Sequence, residues 1–225
     1  MTAALQVPRT RTWPLERRDA AVLLGWFIGL VGVWWAVGAL ITGPLDGSGF
    51  VRTDERISQW FADGRTPRND DLAVAGAMLA DTFVKIIVTA VAAAVIYAIW
   101  RSWRDVAMIV LPLILEASVF ITVTWLVGRP RPDVPRLEDS PVASSWPSGH
   151  TAAATVYSAI VVVIWWHVRN RVVRVITVLV PLLVVVIVGW ARTYAGMHHL
   201  SDVVSGVVLG AVSVFAVWLL LRNRA

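Results

Sequence analysis

The chain has 225 residues, of which 57% are hydrophobic, and a net charge of +5. Soluble domains average about 45–50% apolar, so the composition argues against a water-soluble globule and for a membrane protein. No cysteine is present, which excludes disulfides and thiolate metal sites. The basic balance suits arginines at membrane ends, and no nucleic-acid partner is expected.

The N-terminal stretch "MTAALQVPRTRTWPLERRDA" is basic. The apolar run after it is full length and has no nearby small-residue cleavage site, so it reads as a first span rather than a signal peptide. Six segments reach the roughly 20 apolar residues that a spanning helix needs: 20–42, 72–99, 105–127, 149–168, 172–190 and 200–221. No internal repeat interrupts them. Residues 1–225 therefore read as one domain, an all-α bundle of six transmembrane helices.

Within the loop 43–71, "TDERISQWFADG" reads as a short surface helix. Thr53 is its expected cap, Asp54 and Glu55 suit its first turn, and Gly64 ends it. Ile57, Trp60 and Phe61 would share one face, as in an interfacial anchor or, less favoured, a lid. Inside the spans, Asp81, Lys85 and Glu116 are costly charges that ought to pair. Counted along unbroken helices, Lys85 and Glu116 both fall near mid-membrane, which predicts a Lys85–Glu116 bridge. Pro181 predicts a kink in the fifth span, and Gly206 with Gly210 predicts close helix packing.

Arginines set the orientation. Arg9, Arg11, Arg17 and Arg18 precede the first span; Arg101 and Arg104 follow the second; Arg169, Arg171 and Arg174 follow the fourth; Arg222 and Arg224 follow the sixth. All lie on one side, which should be the cytoplasm. Both termini are then cytoplasmic, in a multi-pass protein of the cell membrane. Arg129, Arg131, Arg136 and Arg192 fall on the outer side, against the rule, and so call for another role.

Three polar clusters gather at that outer face: "TWLVGRPRP" at 124–132, "PSGH" at 147–150 and "RTYAGMHHLSD" at 192–202. Each alone has a plain explanation as an anchor, a helix stop or a solvated loop. Together they bring guanidinium groups, a helix N-terminus and histidines to one end of one bundle, which is what holding and attacking a phosphate requires. Ser148 occupies a cap position, Gly149 allows close approach of a ligand, and His150 sits in the first turn. His198 and Asp202 share a face if the sixth helix starts early, so Asp202 could orient His198 as a nucleophile. His199 then belongs to the loop.

These residues resemble the three-part signature of the type-2 phosphatidic acid phosphatase superfamily, K-x6-R-P, P-S-G-H and S-R-x5-H-x3-D. The second part matches at Pro147–His150. The third matches at Arg192, His198 and Asp202, with Ala191 in place of serine. The first matches at Arg131–Pro132, with Thr124 in place of lysine. The resemblance, to a superfamily whose bacterial members include phosphatidylglycerophosphatase-like and undecaprenyl diphosphate phosphatase-like proteins, implies a lipid phosphatase that needs neither metal nor other cofactor. By it, His198 attacks phosphorus to form a phosphohistidine, Asp202 orients His198, and His150 protonates the leaving oxygen and then activates water. Arg131, Arg192, Ser148 and Gly149 hold the phosphoryl oxygens. Thr124 offers a neutral hydroxyl at the lysine position, with Arg129 the cation nearest to compensate.

The implied partners are membrane lipids and a lipid phosphate substrate: a polyprenyl diphosphate, phosphatidate or phosphatidylglycerol phosphate. Two other functions fit the same residues. One is a lipid phosphotransferase using the same intermediate; the other is a catalytically weak lipid-binding or transport protein, suggested by Thr124.

Overall fold

Hydrocarbon offers no partner to a backbone N–H or C=O, so a chain this apolar satisfies its backbone within helices. The computed structural model describes residues 15–140 and 142–224; Arg9 and Arg11 lie outside the described residues. In chain order the helices are α1 (Arg17–Thr42), α2 (Gly49–Asp63), α3 (Pro67–Met78), α4 (Thr82–Trp100), α5 (Trp103–Val127), α6 (Gly149–Val156), α7 (Ala159–His167), α8 (Arg171–Tyr194) and α9 (Leu200–Leu221). Among the described residues six spans are long and apolar enough to cross a bilayer: α1, α4, α5, α6 with α7, α8 and α9. The protein is an all-α, multi-pass membrane protein.

The second expected span, 72–99, is divided. Asp81 turns its carboxylate onto the Phe83 N–H at 3.2 Å and caps a new helix there, as a short acidic side chain does at a helix start. The preceding residues form α3, with Pro67 in its first turn and Thr66 capping it. Lys85 therefore lies in the first turn of α4 rather than deep in a continuous span. The expected Lys85–Glu116 bridge does not form: both carboxylate oxygens of Glu116 are buried without a hydrogen-bond partner. The fourth span is also divided, by a turn at Tyr157 and Ser158, while α8 runs unbroken through Pro181.

α2 starts earlier than its sequence suggests. Ser48, not Thr53, caps it, accepting from the Val51 N–H at 3.4 Å, and Gly64 ends it as expected. Its inward residues are Asp54 and Ser58, while Trp60 is 70% exposed. Two polar residues of α2 thus face the bundle, because Asp54 has a buried cation to meet.

The core that positions the loops lies among α5, α6 and α9. Gly206 and Gly210 bring α9 so close to α6 that an added Cβ would sit 2.3 Å from the Ser148 carbonyl and 2.4 Å from that of Ala152. The expected close packing is present, and it fixes the start of α6 against α9. At the opposite end of the bundle, Arg224 reaches Asp19 at 2.5 Å and ties the end of α9 to the start of α1.

Candidate active site

The three clusters converge where α6 and α9 begin and α8 ends. The Ser148 N–H donates to the Asp202 carbonyl at 3.0 Å, joining the second cluster to the third. Ser148 is the N-cap residue of α6, but its hydroxyl makes no cap bond and lies buried without a partner. Gly149 is needed for packing: a Cβ there would meet the Phe120 ring at 2.8 Å, so that space is filled by an aromatic ring and not by a ligand. Half-buried His150 follows in the first turn.

His198 lies in the tight loop that joins α8 to α9. The helix begins only at Leu200 with His199 as its cap, so His198 and Asp202 do not share a helical face as expected. The Nδ1 atom of His198 lies 2.7 Å from the Ser145 carbonyl oxygen and 3.9 Å from the nearest Asp202 oxygen. A carbonyl only accepts, so Nδ1 carries the proton and Nε2 keeps its lone pair. Burial, then the charges of Arg192, Arg131 and the nearby His150, push the His198 imidazole well below the ordinary histidine range. The ring is therefore neutral at pH 7.

Asp202 is engaged elsewhere. One oxygen accepts from Arg129 at 2.5 Å, and the other accepts from the His199 N–H at 2.8 Å and faces the His199 ring at 3.3 Å. The contact with the His198 ring expected of Asp202 is made by the Ser145 carbonyl, and Asp202 holds the loop. Arg129 also donates to Asp54 at 2.8 Å and to the Ser201 hydroxyl at 2.7 Å. Buried between two carboxylates, it is not free to stand in for the missing lysine, and it clamps α2 onto α9. His199, expected to be a plain loop residue, joins the same network through Glu55 at 3.1 Å.

Arg131 pins the polar loop to the site. Its guanidinium donates to Met197 O, to the Ser140 hydroxyl at 2.8 Å and to Val142 O at 3.0 Å. Burial, then Arg192 and Arg136, pull its pKa down to about 10, so it stays charged at neutral pH. Arg192, in the last turn of α8, donates one Nη to Glu138 at 2.7 Å. The Nε atoms of both arginines are buried without partners, as is the Thr124 hydroxyl near the end of α5.

The profile of the PAP2 superfamily matches residues 106–225. The chain belongs to the PAP2 superfamily. No curated protein matches it, but two solved membrane structures share the PAP2 fold. One is the transmembrane PAP2-type phosphatidylglycerolphosphate phosphatase of Bacillus subtilis, with a TM-score of 0.73, 21% identity, and 90% of this chain and 96% of that chain covered. The other is LpxE of Aquifex aeolicus, with a TM-score of 0.56, 24% identity, and 72% and 92% covered. The matched PAP2 segment holds every residue of the three clusters, whereas α1 to α4, including Asp54 and Lys85, precede it.

Three features of the site are not legible in the sequence: the Ser145 carbonyl, the Arg129 clamp and the Glu138 contact. The first has no side-chain signature at all. Arg129 reads from the sequence as a candidate phosphate contact rather than a clamp, and Glu138 only as a loop charge. The level of Lys85 is legible once Asp81 is read as a helix cap.

Proposed function

We propose that this PAP2 protein is an integral-membrane lipid phosphatase working through a phosphohistidine on His198. The observation that carries this reading is a group of buried donors with no partner, the Ser148 hydroxyl and the Nε atoms of Arg131 and Arg192, around a neutral imidazole with one free nitrogen. Unpaired buried donors are costly, and a phosphoryl group with three anionic oxygens is the ligand that satisfies them.

His198 Nε2 attacks phosphorus, and the bond from phosphorus to the leaving oxygen breaks as Nε2–P forms. The arginines and Ser148 neutralise the charge on the equatorial oxygens, as phosphoryl transfer demands. The Gly149 N–H, at the start of α6, adds the positive end of a helix dipole. His150 gives its proton to the departing oxygen. It then takes a proton from water, which attacks the phosphohistidine and releases inorganic phosphate. Arg101, Arg104, Arg169, Arg171 and Arg174 flank the spans at the end away from these residues, which supports a cytoplasmic location for that end and an outward-facing site.

The test is phosphate release by purified protein in detergent with EDTA present, across polyprenyl diphosphate, phosphatidate and phosphatidylglycerol phosphate. Release from at least one, with His150→Ala slowed by about 10²–10⁴-fold, is the expected result. No release from any lipid, or EDTA inhibition reversed by magnesium, would overturn it.

A further inference from the structure

The only lysine of the chain, Lys85, has no place in the chemistry above, and it lies outside the segment that the PAP2 profile matches. On α4 it continues the stripe of Thr89, Ala93 and Ile96, which are only 9%, 8% and 5% exposed. Its neighbours Phe83, Ile86 and Ile87 are 77%, 54% and 60% exposed and face away from the bundle. Lys85 is thus on the inward face, where a charge in a membrane protein marks a polar partner or a ligand. Glu116 feels the Lys85 charge, yet its carboxylate accepts no hydrogen bond and leaves the ammonium without a bonded anion.

The level of Lys85 follows from the packing. The break before α4 is tied to the end of α6 by the Tyr157 hydroxyl, which donates to the Leu79 carbonyl at 2.9 Å. One turn beyond Lys85, Thr89 lines a small cavity together with Val156 and Tyr157. Lys85 therefore stands beside α6, about 6 Å nearer the site than Thr89. Its charge and that of Asp81 act on His150, together with Arg192 and Arg131. The groups that act on His198 are the two arginines and His150, without Lys85. Both histidines thus sit in the field of the two arginines, and Lys85 adds its charge on the side of His150.

We propose that Lys85 binds the leaving group, and that it makes this site selective for lipid diphosphates over lipid monophosphates. The proposal rests on the phosphatase reading above. A lipid whose chain stays in hydrocarbon presents its terminal phosphoryl to His198 and its inner phosphate to the bilayer side, where Lys85 enters. When the Nε2–P bond forms and the bridging P–O bond of a diphosphate breaks, the departing oxygen of the lipid monophosphate develops negative charge beside an inner phosphate that is already anionic, and the ammonium stabilises this charge as His150 delivers its proton. A monophosphate releases an alcohol, which gains less from it.

The experiment compares farnesyl diphosphate with farnesyl monophosphate, using the full chain in detergent. Lys85→Met should lower kcat/KM for the diphosphate by about 10- to 100-fold, the range of one charge-assisted contact. The monophosphate value should fall less, so that the diphosphate-to-monophosphate ratio drops by about 10-fold, and Lys85→Arg should recover most of the loss. Lys85→Met with Glu116→Gln, compared with Glu116→Gln alone, keeps the test valid if the unpaired Glu116 unfolds the single variant. An equal loss on both substrates, or no loss on either, overturns the proposal while phosphate release upholds the phosphatase. As the sole lysine, Lys85 can also be followed by amine acylation and peptide mass spectrometry. If the wild type cleaves neither farnesyl lipid nor any lipid of the phosphate-release panel, but the diphosphate alone protects Lys85, the phosphatase reading falls and the diphosphate contact stands. Equal protection by both lipids, or by neither, counts against Lys85.

Discussion

The Nδ1 atom of His198 is 2.7 Å from the carbonyl oxygen of Ser145, while the Asp202 carboxylate stays 3.9 Å away. The loop that contains Ser145 is itself fastened to the RPRP segment: its N–H donates to Arg129 O at 2.8 Å and its hydroxyl to Pro130 O at 2.9 Å. The tautomer of the proposed nucleophile is therefore set by backbone from one cluster, which a second cluster holds in place. Asp202 works at one remove, through Arg129 and the His199 N–H.

His198→Ala should abolish lipid phosphate hydrolysis while the protein keeps its thermal unfolding profile in detergent. His199→Ala should retain activity, because His199 caps α9 and meets Glu55 without pointing a free nitrogen toward the arginines. If His199→Ala is inactive and His198→Ala turns over, the nucleophile is misassigned.

Asp202→Asn and Arg129→Met should each destabilise the protein by about 3–5 kcal/mol, the cost of leaving one member of a buried ion pair alone. Since Arg129 also needs Asp54, the double variant Asp202→Asn/Arg129→Met should be less unstable than the sum of the singles. Denaturant titration of the four proteins measures this coupling. Strict additivity would mean that the two side chains do not act as one unit.

The apolar runs made the spans legible, because hydrocarbon dictates helix wherever about 20 apolar residues follow one another. What hydropathy missed were the interruptions. Asp81 caps α4 within a run that looks continuous, and Tyr157 with Ser158 breaks the fourth span without a proline. Each break shifts the depth of everything after it, which is why Lys85 was placed wrongly. Spacing gathered the arginines and histidines correctly as a set, since the same loops carry them all. It could not reveal that Asp202 bonds to Arg129 rather than His198, because that choice depends on α2 arriving with Asp54 from far along the chain.

The lowered pKa of His198 has a direction that can be measured. In an unfolded chain the imidazole gains its proton near about 6.5, whereas in the folded site it resists protonation until well below that. The unfolded state therefore binds more protons between the two values, and the contribution of His198 to stability falls as the pH drops through that interval. For activity, the acid limb of kcat/KM due to the nucleophile should lie well below 6.5. Arg192→Gln removes the largest of the neighbouring charges, so it should move the limb upward as well as slow the reaction. A limb that does not move in Arg192→Gln would show that His198 does not feel this arginine.

Gly206→Ala should be disproportionately harmful for one methyl group. The new Cβ would lie 2.3 Å from the Ser148 carbonyl and 2.9 Å from the Thr151 hydroxyl, so α6 must shift. Overpacking of this kind costs about 1–3 kcal/mol, and the shift would also displace Ser148 and His150. Gly32→Ala, where nothing lies within 4 Å, is the control. Comparing activity and unfolding of the two variants checks the prediction; equal behaviour would mean that α6 and α9 are packed more loosely.

Thr124 offers the sharpest test of how the site is charged. It lies in the last two turns of α5, 7% exposed, with a hydroxyl that bonds to nothing. Arg129 is spoken for by Asp54 and Asp202, so no rearranged arginine fills the role that a lysine at 124 would have. Thr124→Lys places a second flexible ammonium near the end of α5, without a carboxylate assigned to it. In the free protein that charge is poorly solvated, and we expect a loss of thermal stability. A bound phosphate supplies the missing anion, so vanadate or substrate should restore stability. The Michaelis constant for a lipid phosphate should fall roughly tenfold, the lower range of one charge-assisted contact. The gain should be larger in a Lys85→Met background, for a diphosphate, if both ammonium groups serve the same anion. Kinetics and melting of the single and double variants, with and without vanadate, separate these effects. A Michaelis constant unchanged in both backgrounds would place Thr124 outside the phosphate site.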